Sequence, residues 1–188
     1  MPTRAPEPVA APRRLLAVLA ALVAAVVGLT TSCTAARGPR TVALPGGGRG
    51  LPATVTHVVD GDTVDLDLGG TAERARLLGI DTPETVKPDA PVDCFGPEAS
   101  ARTKALLPDG TPVVVQRDAE ARDRYGRLLV YLWRRKDHLF VNASLVRDGF
   151  ARTLSIAPNT SHRVDLAAEA DAARTAGTGL WGACPPDG

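Results

Sequence analysis

Short segments in which apolar and polar residues alternate dominate the chain from residue 53 onward. Alternation with a period of two, or a run of β-branched residues, is typical of β-strands. Asp60-Gly61 and Gly69-Gly70 lie between such segments, and these dipeptides form tight turns because they tolerate a positive φ. The pattern predicts five strands, over residues 53–59, 63–68, 74–80, 111–118 and 127–133.

Helical spacing of apolar residues interrupts this β pattern three times. Pro97 suits the first position of one helix, Gly149 suits the end of the next, and Ser161 and Gly177 are expected to cap the last one. The three helices are predicted over residues 96–107, 141–149 and 161–177. Three strands, a helix, two strands and two helices is the order of a small Greek-key barrel. We therefore predict a mainly β protein with added helices (α+β), a five-stranded OB-fold barrel with three α-helices.

The N-terminal segment has a different pattern, without alternation. Arg13 and Arg14 precede an uninterrupted apolar run over residues 15–29, which is typical of a secretory signal. A membrane span needs about 20 apolar residues, so a retained anchor is the less favoured alternative. The sequence predicts a signal over residues 1–33, a flexible linker over residues 34–52 and a folded domain over residues 53–184.

Cys33 ends the sequence LTTSC, which resembles the bacterial lipobox where a cysteine becomes the lipidated N-terminus. Cleavage after Ala36 is the alternative, and Arg13-Arg14 is also compatible with a twin-arginine signal. Each version takes the domain out of the cytoplasm, either secreted or anchored to the outer face of the membrane as a lipoprotein. Contact with the membrane is expected only through the signal or the lipid.

The other two cysteines, Cys94 and Cys184, form an even remainder in a chain expected to be exported, which favours a disulfide between them. Two free buried thiols are the alternative. Hydrophobic residues make up 44% of the chain and aromatic residues only 4%, so we expect an aliphatic core. The formal net charge is +1, which gives no argument for a polyanionic partner.

Local charge is less even than the total. Basic residues concentrate around the fourth and fifth predicted strands, at Arg117, Arg122, Arg124, Arg127, Arg134, Arg135 and Lys136. Acids are interspersed with them, at Asp118, Glu120, Asp123 and Asp137. A phosphate-binding surface and a solvated, internally neutralised strand face are equally compatible with this pattern.

Two acidic turns and one basic turn carry the candidate chemistry. Asp62 and Asp81 could supply carboxylate oxygens to a hard cation such as Ca²⁺, with a backbone carbonyl, water and phosphate completing the shell. The three histidines are scattered and show no zinc spacing. Glu84 could take a proton from an attacking water, and Arg76 and Arg127 have planar guanidinium groups suited to phosphate oxygens.

Each of these turns taken singly is more often only a turn. Together they contain a full set of groups for phosphodiester hydrolysis. One geometric condition applies: Arg76 and Asp81 are an odd number of residues apart and would face opposite sides of a straight strand. The site requires the strand to end near Gly79.

The sequence resembles the staphylococcal nuclease (thermonuclease) family over residues 53 to about 184. The resemblance is carried by DGDTV near residue 61, RLLGIDTPE at 76–84 and DRYGRLLVYL at 123–132, supported by CFGPEA at 94–99, VNASLVRDGFA at 141–151 and GLW at 179–181. The three main blocks occur in the family's order, which makes the match jointly specific. The family's fold is an OB barrel.

The resemblance also implies roles for single residues. Asp62 and Asp81 match calcium ligands, and Thr82 matches a ligand through its backbone carbonyl. Glu84 matches the general base, and Arg76 and Arg127 match the pair that binds the scissile phosphate. Two further residues match substrate-binding positions: Tyr125 lines the nucleotide pocket and Arg124 replaces a lysine near the terminal phosphate.

The expected function is a calcium-dependent, extracytoplasmic nuclease that acts as a monomer on DNA or RNA and leaves 3′-phosphate ends. One stretch departs from the family: residues 151–160 contain no aromatic side chain where tyrosines help to hold the nucleotide. Base stacking contributes about 1–3 kcal/mol per base, so we expect weaker binding or a different grip on the substrate. The alternatives are a nuclease-like module that only binds nucleic acid and a structural lipoprotein that binds calcium.

Overall fold

The computed structural model describes residue 1 and residues 41–45, 47–85 and 92–185. By its internal contacts the chain divides into two units, Met1–Arg37 and Gly38–Gly188, and the second contains the structure described below. The predicted signal over residues 1–33, the lipidation site Cys33 and the alternative cleavage site after Ala36 lie outside the described residues. No helix in the described ranges is long and apolar enough to span a bilayer.

Nine strands and four helices are present in the described part of the chain. The strands are β1 Val42–Ala43, β2 Arg49–Asp60, β3 Thr63–Asp67, β4 Ala72–Leu77, β5 Gly79–Asp81, β6 Pro112–Gln116, β7 Leu128–Arg134, β8 Leu139–Phe140 and β9 Arg152–Leu154. The helices are α1 Gly96–Leu106, α2 Val141–Arg147, α3 Arg163–Ala176 and α4 Leu180–Ala183.

Five of the strands pair in a ring. β2 pairs with β3, β3 with β4, β4 with β7, β7 with β6, and β6 with β2 again. All these pairs are antiparallel except β4–β7, which is parallel; β5, α1 and β6 lie between these two strands in the chain. This is the connectivity of an OB-fold, and it confirms the predicted fold class and the five predicted strands.

The core fills the inside of this ring with aliphatic side chains. Alternate residues of the strands point inward, so Val64 and Leu66 of β3 and Val130 and Leu132 of β7 are fully buried. Helix α3 adds Leu166, which is buried against the same cluster. Each fully buried side chain of this size stabilises the fold by about 1.5–3 kcal/mol relative to an exposed one.

The third predicted strand is interrupted, and the interruption positions the site. β4 ends at Leu77, and Gly79 has a φ of +76°, which a residue with a side chain rarely adopts. β5 then leaves the barrel and pairs antiparallel with β9. The buried Asn142 holds the bend, because its amide donates to the carbonyl of Leu78 at 2.8 Å. The condition set by the odd spacing of Arg76 and Asp81 is therefore met.

Three other predictions differ from the structure. Part of the predicted linker is strand: β1 and the first residues of β2 lie within residues 34–52. A fourth helix, α4, is a single turn too short to give a periodic pattern. Ser161 does not cap α3, since its hydroxyl and amide both donate to Asp118 instead. The long-range partner outcompetes the local one.

Cys94 and Cys184 form a disulfide with a Cα–Cα distance of 5.9 Å. Cys94 lies just before α1, and Cys184 directly follows α4. The bond therefore joins the start of α1 to the end of α4. It is the disulfide that the even number of remaining cysteines favoured.

Candidate active site

Asp62 lies in the tight turn between β2 and β3 and is buried. Its Oδ1 accepts a hydrogen bond from the Thr63 hydroxyl at 3.0 Å, and its Oδ2 accepts one from the backbone amide of Thr82 at 3.1 Å. Oδ2 also lies 2.9 Å from Nη1 of Arg76. The carboxylate thus joins the first acidic turn to the second.

Arg76, at the end of β4, forms the centre of the acidic group. Its Nη1 donates to the carbonyls of Leu77 and Ile80, both at 2.9 Å, in addition to the contact with Asp62. Its Nη2 donates to Oδ1 of Asp81 at 2.7 Å. The side chain is only 14% exposed, so this guanidinium is fixed in one orientation.

Asp81 and Thr82 follow the bend at Gly79. The Asp81 side chain is 54% exposed, which leaves it free to turn toward solvent. The Thr82 hydroxyl is buried and has no hydrogen-bond partner in the part of the chain that the structure describes. A Cβ at Gly61 would lie 2.6 Å from this hydroxyl, so only glycine allows the two turns to approach so closely.

Burial raises the pKa of Asp62 above its ordinary value, although Arg76 and the Thr82 amide act in the opposite direction. A buried carboxylate whose neighbours do not fully compensate its charge is favourable ground for a cation. The Asp62 and Asp81 carboxylates meet at one guanidinium, and oxygen donors of this kind suit Ca²⁺. No group of three acids, histidines or cysteines that could hold a metal is assembled among the described residues.

Glu84 lies two residues beyond Thr82, and its backbone is held on both sides. Its amide donates to Oδ2 of Asp93 at 3.0 Å, and its carbonyl accepts from the Asp93 amide at 3.0 Å. The next residue, Thr85, donates from its hydroxyl to Oδ1 of the buried Asp60 at 2.6 Å. Asp60 is separated from Asp62 only by Gly61, so the residue after Glu84 is fastened to the turn that carries Asp62. The Glu84 carboxylate itself accepts from the Thr85 amide at 3.0 Å.

Arg127 approaches from the loop before β7. Its Nε donates to Oδ2 of Asp123 at 2.7 Å, and its backbone amide donates to Oδ1 at 3.0 Å. Burial raises the pKa of Asp123, but the hydrogen bonds from Arg127 and Tyr125 outweigh it and hold that pKa below its usual range. The Arg127 side chain is 30% exposed, about twice as much as that of Arg76.

One cavity of about 450 Å³ lies between Arg76 and the loop that carries Arg127. Asp62, Asp81, Thr82 and Glu84 are not among the described residues that line it. The four predicted substrate-facing residues all line it: Arg76, Arg124, Tyr125 and Arg127. Tyr125 is exposed, and the guanidinium carbons of Arg124 and Arg127 lie 4.7 and 5.5 Å from the centre of its ring. The three side chains thus form one basic and aromatic wall.

The opposite part of the cavity wall is aliphatic. Leu154 and Ile156, from the stretch that lacks tyrosines, line the cavity and are both exposed. Their side chains offer an apolar surface to a base, without the stacking face of an aromatic ring. Their residue types did not mark them in advance, because a leucine or isoleucine more often only packs against other apolar side chains.

The wider basic cluster is largely neutralised within the fold. Arg122 pairs with Glu73, and Arg134 pairs with Asp137, in both cases at 2.6 Å. These pairs and the Arg127–Asp123 pair favour the solvated strand face over a broad phosphate-binding surface.

Sequence reasoning missed three residues that support the site. Asp60 and Thr85 fasten the stretch that carries Glu84, and Asp93 holds the Glu84 backbone. Asp60 was discoverable as the other acid of the DGD turn. For Asp93, the only signal in the sequence was its position next to Cys94.

The geometry describes an OB-fold in which two carboxylates meet at Arg76, and Arg76 and Arg127 line one cavity. Residues 74–183 match the family model described as staphylococcal nuclease homologue, which is more than half of the chain. The chain belongs to this family. The matched region includes every predicted catalytic, metal-binding and substrate-binding residue except Asp62, which lies upstream of it.

Several characterised relatives support the assignment. The chain is 44% identical over 116 residues to the thermonuclease of Staphylococcus intermedius, covering 62% of this chain and 67% of that protein. Identity to the thermonuclease of Staphylococcus hyicus is 41% over 109 residues, covering 58% and 63%. A prophage-derived endonuclease of Bacillus subtilis is 34% identical over 132 residues, covering 70% of this chain and 44% of that protein.

The chain thus matches about two thirds of the two staphylococcal proteins and under half of the Bacillus one. The family and these relatives support a nuclease, which is a hydrolase that cleaves phosphodiester bonds.

Proposed function

We propose that this chain is an extracytoplasmic, calcium-dependent nuclease that hydrolyses DNA or RNA to products with 3′-phosphate ends. The observation that carries the proposal is the meeting of Asp62 and Asp81 at Arg76, on the cavity that Arg127 also lines. A cation site and two phosphate-binding guanidinium groups in one place are what phosphodiester hydrolysis needs.

Asp62 and Asp81 would hold the calcium ion, with the Thr82 carbonyl as a further ligand. The ion would supply positive charge beside the phosphate when bound. Two observations support this fit: burial raises the pKa of Asp62, and the exposed Asp81 side chain can turn from Arg76 toward a cation.

Glu84 would accept the proton of the attacking water. Arg76 and Arg127 would bind the phosphoryl oxygens, where negative charge grows in the transition state. Tyr125 and Arg124 would contact the nucleotide from the exposed wall of the cavity. The aliphatic wall at Leu154 and Ile156 supports weaker base stacking than tyrosines would give.

Glu84→Gln tests the general base directly. It removes the proton acceptor and keeps the size of the side chain, so turnover should fall by about 10²- to 10⁴-fold while the fold is retained. Cleavage of single- and double-stranded DNA and RNA by the purified full-length chain, in mild detergent, would be measured against calcium concentration. The matched control is Glu98→Gln, on the exposed first turn of α1.

Turnover above about a tenth of the wild-type value in Glu84→Gln would contradict the role of Glu84, given the usual size of a general base's contribution. Calcium-dependent cleavage with 3′-phosphate ends would support the whole proposal. A folded wild-type protein that binds nucleic acid without cleaving it would instead indicate a binding module.

The proposed location rests on the sequence before residue 34 and on the disulfide. Disulfides persist in oxidising compartments, so Cys94–Cys184 supports an exported domain. We propose that Cys33 is lipidated and anchors the protein to the outer face of the membrane. Cys33→Ser should release the protein from the membrane fraction. Wild-type protein that is already found in the medium would instead favour cleavage after Ala36 and secretion.

A further inference from the structure

We infer that Asp93 is a positioning residue for Glu84 and that the Cys94–Cys184 disulfide keeps Asp93 in place, so that reduction of this disulfide lowers turnover. The inference rests on the proposed role of Glu84 as general base. It adds a redox-sensitive support to that residue, built from groups that lie outside the cavity.

The first step is the pairing of Glu84 with Asp93. Both polar backbone atoms of Glu84 bond to this one residue: the amide donates to Oδ2 of Asp93, and the carbonyl accepts from the Asp93 amide, each at 3.0 Å. Two reciprocal bonds set both the position and the orientation of this backbone relative to Asp93. A general base needs this control, because it must lie within hydrogen-bond reach of the water it deprotonates.

The second step is that this pairing is weakly protected from solvent. Asp93 and Cys94 are both exposed, and they lie in neither a helix nor a strand. Water competes for exposed hydrogen bonds, so two such bonds alone hold a segment loosely. Asp93 therefore needs a further constraint to act as a fixed partner.

The third step is the covalent constraint. Cys94 directly follows Asp93 and is bonded to Cys184, whose amide donates to the carbonyl of Leu180 in α4. Leu180 is buried, and its own amide donates to the carbonyl of Gly149 at 2.9 Å. The disulfide thus ties Asp93 to the packed region where α4 meets the end of α2.

Helix α1 provides a second contact from the same side. The Gly96 amide donates to the carbonyl of Asp93 at 3.0 Å. A Cβ at Gly96 would lie 3.0 Å from the carbonyl oxygen of Glu84 and 2.8 Å from Cγ2 of Thr85. The start of α1 therefore lies directly against the Glu84 segment, and a shift of Cys94 would be transmitted to it.

Reduction should affect turnover more than substrate binding. The described residues from Thr82 to Cys94 include no buried apolar side chain, so the apolar core of the barrel does not depend on this segment. Arg124, Tyr125 and Arg127 line the cavity from a different loop. We expect kcat to fall and KM to stay nearly constant when the disulfide opens.

The experiment compares Cys94→Ser/Cys184→Ser and Asp93→Ala with wild type, using the full-length chain. Displacing a catalytic group by about 1 Å costs up to about 100-fold, so kcat should fall by about 10- to 100-fold, with KM within about twofold. Cys33→Ser and the exposed Asp109→Asn are the matched controls and should keep wild-type kcat. Asp93→Asn keeps an oxygen that can accept from the Glu84 amide, and it should recover most of the activity.

Reduction of wild type by a thiol, followed by reoxidation, tests the same link without mutation. The kcat should fall on reduction and return on reoxidation, while circular dichroism shows the folded state throughout. Unchanged kcat in the folded, reduced protein would overturn the inference. If the cysteine variant fails to fold, Asp93→Ala decides by itself: wild-type kcat in that variant overturns the positioning role.

Combination with Glu84→Gln separates positioning from general damage. If Asp93 and the disulfide act through Glu84, then Asp93→Ala should cause no further loss of the residual activity in the Glu84→Gln background. A further loss as large as in wild type would overturn the inference. Wild-type activity in Glu84→Gln alone would instead overturn the proposed role of Glu84 as general base, so the two failures are distinguishable.

Discussion

The site contains two Arg–Asp pairs that differ in how the fold holds them. Arg76 lies in β4 and Asp62 in the turn between β2 and β3; both are nearly enclosed and share hydrogen bonds with Thr63, Thr82 and Asp81. Arg127 and Asp123 are four residues apart in one loop and are more exposed. The pKa of Asp62 is raised by burial, whereas hydrogen bonds hold the pKa of Asp123 below its usual range.

The difference shows that similar ion pairs can have different physical roles. The Arg76 pair lies where three segments meet, so it is part of the packing as well as part of the site. The Arg127 pair stabilises its own loop and presents one guanidinium to the cavity. Loss of either arginine should reduce activity, but only loss of Arg76 should strongly destabilise the protein.

Arg76→Ala against Arg127→Ala is the strongest test of this contrast. Removing Arg76 leaves Asp62 as a buried carboxylate without its cation, which should cost about 3–5 kcal/mol of unfolding free energy. Removing Arg127 breaks a pair that is partly exposed and should cost about 1 kcal/mol or less. Both variants should lose about 10²- to 10³-fold in kcat, as expected for one lost phosphate donor.

Urea unfolding and steady-state cleavage would be measured on the same preparations. Arg76→Lys is the matched control, because it keeps the charge but cannot donate to two carboxylates with one planar group. It should recover part of the stability and little of the activity. Equal destabilisation by the two alanine variants would show that the pairs are held in the same way.

Gly61, next to Asp62, and Gly126, next to Arg127, give a second, smaller contrast. Gly61 is required by space, since a Cβ there would meet the Thr82 hydroxyl, and Gly61→Ala should cost about 1–3 kcal/mol. Gly126 has open space around it but a φ of +80°, so Gly126→Ala should cost about 1–2 kcal/mol. Thermal or urea unfolding of both variants would measure these losses.

Asparagine distinguishes the two causes, because it tolerates a positive φ but is larger than alanine. Gly126→Asn should be more stable than Gly126→Ala, whereas Gly61→Asn should be no better than Gly61→Ala. The opposite order at either position would contradict the assigned cause.

The sequence predicts the fold and the central site residues because their signals are local. Alternation marks the five barrel strands, and turn residues mark the points where Asp62, Asp81 and Arg127 occur. The spacing of Arg76 and Asp81 even required the bend that Gly79 supplies. These features depend on a few neighbouring residues, so a single sequence contains them.

The supporting residues were not predictable in the same way. Asp93 matters because it pairs with Glu84 across nine positions, and Asp60 because it meets Thr85 across 25. Ser161 was expected to cap a helix and instead donates to Asp118, 43 residues away. Such contacts are decided by the tertiary fold, and the residue types alone do not select one polar partner from many.

The pH dependence of stability should show the smallest effect, but with opposite signs for Asp62 and Asp123. Because the folded pKa of Asp62 is raised, its contribution to stability is full below the unfolded value of about 4 and is lost as the pH rises through the folded value. Asp123 has a lowered pKa, so its contribution is present above about 4 and is lost as the pH falls through the folded value.

Asparagine imitates the neutral form of an aspartic acid. Asp62→Asn should therefore cost less stability at pH 7 than at pH 3, and Asp123→Asn should cost more, as measured by urea unfolding in calcium-free buffer. The exposed Asp109→Asn is the control. A change of the same sign in both variants would mean that one environment governs both pairs, and the contrast between the buried and the local pair would fail.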